Sequence, residues 1–141
     1  MAEPLILHHV GILVANIPEA SALYEDRFGY KIQTPVIHDP VQGAHVQFLK
    51  LATDNSFLEF VSPDGPQSVL SNALRTGGGI HHLCYSTPDV EQCCNELRGK
   101  GMSLIRPPVA AAAFPGRRIA WLMGRDRVLL ELVDRSPDGG L

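Results

Sequence analysis

Apolar and polar positions fall along this chain in short blocks whose order can be read directly. Residues 5–14, LILHHVGILV, are mostly apolar with β-branched members and predict a strand. Asn16 predicts the cap of a helix over about 17–28, with Pro18 tolerated in its first turn and Gly29 as its stop. Tyr30 to Ile37, His45 to Leu51 and Phe57 to Val61 then read as three strands, with Pro, Gly, Asp and Asn between them. The second half follows the same order. A strand is expected over 80–86, a helix over about 89–99 with Asp89 as cap, and strands near 102–106, 117–123 and 127–133. The join, SPDGPQSVLSNALRTGGG, has Pro and Gly near both ends and a short helical middle, so it reads as a linker.

The shared order reflects an internal repeat. LHHVGILVANIPEA from Leu7 lies over IHHLCYSTPDVEQC from Ile80, which pairs His8 with His81 and His9 with His82 at an interval of 73 residues (81 − 8). The same interval brings GAHVQFL from Gly43 over GRRIAWL from Gly116. At an interval one shorter, FLEFV lies over LLELV and Glu59 over Glu131 (131 − 59 = 72). Three separated blocks in near register argue for two fused copies of one βαβββ module. Module one is expected over about 5–62, the linker over about 63–79 and module two over about 80–134, all in a single domain spanning 1–141. One module alone leaves a bare sheet face and two open edges. Two side by side can build one curved mixed sheet with a shared groove, an α+β architecture.

Strand alternation sorts each histidine doublet by face. His9 shares a face with Leu7, Gly11 and Leu13, and His82 with Ile80, Cys84 and Ser86. His8 falls with Ile6, Val10 and Ile12, and His81 with Leu83 and Tyr85. Small or polar neighbours leave room for a cavity beside His9 and His82, whereas His8 and His81 are expected to pack under a helix. The competing reading makes all four histidines hydrogen-bonded core or rim residues; it weakens once they occupy repeat-equivalent positions. Glu59 and Glu131 each stand mid-strand among apolar residues, where an ionised carboxylate is costly unless paired or bound to metal. Two His and two Glu suit a divalent first-row metal with open water positions better than a thiolate zinc site. Such a metal can polarise a substrate carbonyl while a carboxylate moves the α-proton.

Composition narrows the classes. The chain has 141 residues, 45% hydrophobic and 19% charged, with a formal net charge of -3, which disfavours nucleic-acid and membrane-surface partners. No apolar run reaches the roughly 20 residues of a membrane span, and MAEPLILHHV lacks the layout of a secretory signal. Cys84, Cys93 and Cys94 lack the CxxC spacing of a thiolate site, which fits a reducing cytoplasm. Cys93 and Cys94 are expected to pack on or near a helix. His38 and His45 are expected to be solvated. Arg117 or Arg118 could bind a substrate carboxylate, thioester or phosphate, although a solvent-facing role is the simpler expectation. Gly77 to Gly79 read as a turn.

These stretches resemble the vicinal oxygen chelate (glyoxalase/bleomycin resistance/dioxygenase) superfamily. The segments that carry the resemblance are LHHVGILVANIPEASALYEDRFGY, DPVQG, FLEFVSP, GGGIHHLCYSTPDVEQCCNELRGKG and RRIAWLMGRDRVLLELVD, within about residues 5–134. GGG-x-HH before a capped helix and the ELV-type final strand are most similar to its methylmalonyl-CoA epimerase-like branch. The resemblance implies a glyoxalase-like fold of paired βαβββ modules around one divalent ion (cobalt, nickel, zinc, manganese, magnesium or iron), held by His9, Glu59, His82 and Glu131, in a homodimer. It implies a lyase or isomerase that abstracts a proton α to a carbonyl, with Glu131 as one acid/base group. One epimerase type carries a second acid on the third strand, which here reads GAHVQFLKL and holds none. Glu59 or a metal-bound water is left for that role. The substrate implied is an acyl-CoA thioester, or a glutathione hemithioacetal if the chain is instead a lactoylglutathione lyase. A non-haem iron dioxygenase, a fosfomycin-type transferase and a non-catalytic resistance protein are more distant alternatives; the last kind tends to lose the metal residues retained here.

Overall fold

The computed structural model describes residues 4–138 and 140–141 and divides into two compact units. One is His9–His81; the other joins the segment ending at His8 to the segment from His82 onward. The division falls inside each His-His doublet.

In the His9–His81 unit the elements are the main part of β1 (Ile6–Leu13), α1 (Ile17–Phe28), β2 (Lys31–Ile32), β3 (Ile37–Asp39), β4 (Ala44–Lys50), β5 (Phe57–Pro63) and α2 (Leu70–Arg75). The α1 bounds match those expected. The Asn16 side chain accepts a hydrogen bond from the Glu19 N–H at 2.9 Å, and Gly29 ends the helix with φ 78, a left-handed conformation glycine adopts without penalty. Strand β5 pairs with β1 in parallel and with β4 antiparallel. Helix α1 covers one sheet face, where Ile17, Leu49, Leu58 and Phe60 are buried and Val10 and Ile12 pack against them. A buried polar pair lies in the same unit: Ser21 Oγ donates to Gln47 Oε1 at 2.7 Å, and Gln47 Nε2 donates to the Thr34 carbonyl at 3.0 Å.

The strand expected over Tyr30 to Ile37 is instead two short strands, β2 and β3. Thr34 breaks it by using its side chain where a ladder would use backbone: its Oγ1 accepts the Phe48 N–H at 3.2 Å. Pro35, with no N–H to give, follows immediately.

The other unit holds β6 (Gly79–Thr87, from His82 onward), α3 (Val90–Gly99), β7 (Ser103–Ala110), β8 (Arg118–Met123) and β9 (Leu129–Asp134). It repeats the first unit's topology, with β6 parallel to β9, and β9–β8 and β8–β7 antiparallel. The Asp89 side chain caps α3 by accepting the Gln92 N–H at 3.1 Å. Asp134 then ties the helix start to the sheet, accepting the Val90 N–H at 3.0 Å and the Arg118 N–H at 3.1 Å. The core on this side is Val90, Cys93, Cys94, Ala120, Leu122, Leu130 and Leu132, with Tyr85 and Leu97 packed against it. Burial pushes the Cys93 and Cys94 thiols up from their ordinary pKa, as expected of cysteines that serve as packing.

Strand β7 runs four residues beyond its expected end, through Pro107 and Pro108. It pairs only with β8 among the described strands, and that pairing shifts register twice, so the two prolines interrupt no regular ladder. Strand β9 begins two residues later than expected, because Gly124 to Arg127 form a turn closed by the Arg127 N–H on the Gly124 carbonyl at 3.1 Å. Gly78, at φ 64, sits so close to the Leu13 carbonyl that a Cβ would lie 2.9 Å from it, which explains a glycine in this turn.

Candidate metal centre

Strand β1 brings His9, and strand β5 brings Glu59, to the face of their sheet opposite α1. Parallel pairing sets Glu59 beside Gly11, and antiparallel pairing sets it beside Phe48. The missing side chain at Gly11 leaves space for a carboxylate. His9 Nε2 stands 3.3 Å from Glu59 Oε1, with His9 fully buried and Glu59 only 5% exposed. The Phe48 ring lies edge-on to the His9 imidazole at 5.1 Å, so the histidine is walled on one side by an aromatic.

The second unit builds the same arrangement from its own strands. Parallel pairing sets Glu131 beside Cys84, the residue equivalent to Gly11, and antiparallel pairing sets it beside Trp121, the residue equivalent to Phe48. His82 Nε2 stands 3.3 Å from Glu131 Oε1, and both side chains are buried. The Trp121 ring meets the His82 imidazole edge-on at 4.8 Å. Two chemically equal His–Glu pairs therefore occur, one in each unit, at positions related by the repeat.

Each pair fits a metal. Donor atoms bound to one ion at about 2.1 Å, with tetrahedral or octahedral angles between them, stand about 3.0–3.4 Å apart. The observed 3.3 Å in both pairs falls in that interval. A neutral imidazole and a carboxylate are the donors preferred by divalent first-row ions. Burial makes an unassisted carboxylate expensive, and a cation relieves that cost.

The other candidates have different roles. His8 is buried, and it lies edge-on to Phe114 at 5.3 Å. Strand β1 hands its first residues to the unit containing Phe114, which residue periodicity does not reveal. His81 is half-buried. His38 is exposed, as expected, and pairs with Asp64 at 3.0 Å, while His45 is half-buried with its ring 4.9 Å from that of His38. Both arginines of the Arg117–Arg118 pair are engaged by the chain's own acceptors. Arg118 donates through Nε to Asp134 at 3.3 Å and stands near Asp89 and Glu91. Hydrogen bonding and charge from Asp134 hold its pKa above the ordinary arginine value. The Arg117 guanidinium lies over the Phe114 ring at 4.9 Å and donates to the Asp134 and Leu141 carbonyls. Phe48 and Trp121 did not stand out among the apolar strand residues. The signal for them was the alignment of GAHVQFL with GRRIAWL, which superposes the two aromatics.

Comparison with known proteins gives the chain a family and structural neighbours. The model of the glyoxalase/bleomycin resistance protein/dioxygenase superfamily matches residues 8–121. The mitochondrial methylmalonyl-CoA epimerase of Dictyostelium discoideum is 29% identical over 133 residues, which cover 92% of this chain and 78% of that protein. The ethylmalonyl-CoA/methylmalonyl-CoA epimerase of Cereibacter sphaeroides is 28% identical, over 85% of this chain and 89% of its own. Among solved structures, methylmalonyl-CoA epimerase from Mycobacterium tuberculosis superposes with a TM-score of 0.82 at 28% identity, covering 94% of this chain and 89% of that one. A Streptomyces coelicolor methylmalonyl-CoA epimerase variant in complex with 2-nitronate-propionyl-CoA has a TM-score of 0.80 at 26% identity, covering 91% and 95%.

Proposed function

The chain belongs to the glyoxalase/bleomycin resistance protein/dioxygenase superfamily, in its methylmalonyl-CoA epimerase-like branch, and on that premise we propose that it inverts the carbon α to the thioester carbonyl of a short, branched acyl-CoA such as methylmalonyl-CoA. It is an epimerase-like enzyme of a metal-dependent superfamily. The observation that carries the reading is the buried imidazole–carboxylate pair at 3.3 Å, repeated at equivalent positions in both units.

In this reading His9, Glu59, His82 and Glu131 together hold one divalent ion, which is cobalt, nickel, zinc, manganese, magnesium or iron. When bound, the ion polarises the thioester carbonyl and stabilises the negative charge that grows on its oxygen. The protein's own groups move the proton. One carboxylate, Glu131 or Glu59 according to the starting configuration, takes the α-hydrogen as a proton, and the C–H electron pair passes into the enolate. The other, as the protonated acid, returns a proton to the opposite face of the same carbon, so the step is redox-neutral and its atoms balance. Strand β4, Ala44–Lys50, offers no acid, so Glu59 takes the second acid/base role. Burial of both carboxylates keeps bulk water from the reacting carbon. We place the enzyme in the cytoplasm as a homodimer. Its cysteine usage supports the location, and the family resemblance the dimer.

The deciding measurement is solvent deuterium uptake at the α-carbon of methylmalonyl-CoA, run beside methylglyoxal with glutathione. Uptake with inversion, and no lactoylglutathione, is the expected result. Lactoylglutathione without α-carbon exchange would make the chain a lyase, and activity on neither overturns the proposal.

A further inference from the structure

A group of metal-type donors lies outside the buried His–Glu pairs. His38 in β3 stands opposite His45 in β4, in an antiparallel pairing that also sets Ile37 against Val46 and Asp39 against Ala44. Opposed residues of such a pair carry their side chains on one face, about 5 Å apart at Cβ. The two imidazole rings are 4.9 Å apart, centre to centre, and tilted by 33°. Asp64, the residue after β5, completes the group, with its Oδ2 3.0 Å from His38 Nε2. Its backbone N–H donates to the Gly43 carbonyl at 2.9 Å, which fixes it against the β3–β4 turn. That turn is closed in its own right, since the Asp39 carboxylate accepts the Gln42 N–H at 3.1 Å.

Strand alternation puts this group on the α1 side of the sheet. His45 shares its face with Gln47 and Leu49, and Gln47 accepts from Ser21 of α1. Phe48, opposite Glu59, belongs to the other face. The sheet therefore separates the group from His9 and Glu59, and the two share no donor. The repeat supplies a control. In the second unit His45 corresponds to Arg118 (118 − 45 = 73), Ala110 stands opposite Arg118, and Asp64 corresponds to Ser136 (136 − 64 = 72). Arg118 is closed off there by Asp134, which occupies the position of Ser62 (134 − 62 = 72). The second copy of the module thus folds without these donors, so its packing does not require two imidazoles and a carboxylate at these positions.

The side chains of His38 and Asp64 are 52% and 25% exposed, so an ion in solvent reaches both. An exposed His–Asp pair contributes little to stability by itself. Two imidazole nitrogens and a carboxylate oxygen are a donor set for a divalent first-row ion, whereas magnesium and calcium prefer oxygen donors. We propose that His38, His45 and Asp64 bind a second divalent ion of the zinc class, at a solvent-facing site distinct from the buried pairs. His38 Nε2 and Asp64 Oδ2 stand at the separation of two donors on one ion. A turn of the His45 ring about its side-chain torsions brings the third donor and leaves a position open to water. Strand β3 is three residues long and pairs with β4 alone among the described strands. The ion ties that short strand to the segment after β5 and so holds the β3–β4 hairpin in place.

The test is calorimetric zinc titration of the full chain carrying His9→Ala/His82→Ala, which silences the buried pairs. One zinc ion per chain is the expected uptake. Adding His38→Ala, His45→Ala or Asp64→Asn is expected to weaken that binding by about 10-fold or more. Magnesium should bind far more weakly than zinc. Melting temperature separates lost ligation from lost folding. Without zinc, His38→Ala should melt with its parent, because the exposed pair is worth little; with saturating zinc only the parent should gain. If the His9→Ala/His82→Ala chain does not fold, the unaltered protein is titrated beside His38→Ala/His45→Ala, and the difference should be one ion per chain. No zinc uptake in the folded His9→Ala/His82→Ala chain overturns the proposal. So does uptake that survives loss of both His38 and His45, or zinc held no more tightly than magnesium.

Discussion

Glu59 and Glu131 can sit mid-strand because each has a small neighbour across the parallel pairing, Gly11 in one unit and Cys84 in the other. Each also faces an imidazole at 3.3 Å, and each imidazole rests against an aromatic edge. The split of the His-His doublets was legible from period-two alternation alone, since His9 and His82 take the face that carries Glu59 and Glu131. The environment of His8 was not, because Phe114 lies 106 positions away (114 − 8) in a stretch of small residues without periodicity. Glu131→Gln keeps the size and a donor oxygen but removes the proton carrier. It is expected to lower kcat for α-proton exchange by about 100- to 10,000-fold. If Glu59 is the second acid/base group, Glu59→Gln should slow exchange from one enantiomer more than from the other. Single-turnover exchange with each enantiomer checks both outcomes, and undiminished kcat in either variant removes that residue from the mechanism.

At the scale of elements, caps and turns did most to make the fold readable. Asn16 and Asp89 sit 73 positions apart (89 − 16), and each accepts the N–H three residues on, so both helices start where their caps predict. Asp89→Ala should destabilise the protein by about 1 kcal/mol, read as a shift in the urea midpoint with an unchanged slope. Alanine at Asp134 should cost more, about 1.5–3 kcal/mol. That side chain accepts from the start of α3 and from two Arg118 N–H groups at once. An equal cost for the two variants would show that the Asp134 tether adds nothing. Strand ends were less legible where a side chain replaced backbone in the ladder, as Thr34 does, or where a non-glycine took a glycine conformation, as Arg127 does.

For the molecule as a whole, duplication is the governing fact. Both units carry the same strand pairings, the same capped helix and the same buried His–Glu pair. If the two pairs serve one ion, as proposed, metal titration of the purified chain, its outer site removed by His38→Ala/His45→Ala, should saturate at one ion per chain. His9→Ala or His82→Ala alone should then abolish stoichiometric binding, although each alters one unit only. At free metal 100 times Kd, the ion should stabilise the fold by about 2.7 kcal/mol, seen as a concentration-dependent rise in melting temperature. Two ions per chain, or full binding retained in the His9→Ala/His82→Ala variant, would sink the shared-ion assignment.

What the amino-acid sequence determined by itself was local and periodic: the helix caps, the strand faces, the repeat interval, and thereby the His and Glu positions repeated in each unit. These follow from φ/ψ preferences and from the alternation of side chains along a strand, which act over a few residues. Only the tertiary structure decided which aromatic walls each histidine, that Arg117 and Arg118 are engaged by the chain's own acceptors, and that Arg125 and Arg127 flank a cavity. Those facts depend on contacts between segments far apart in the chain, which pairing register and packing set and which no local pattern encodes.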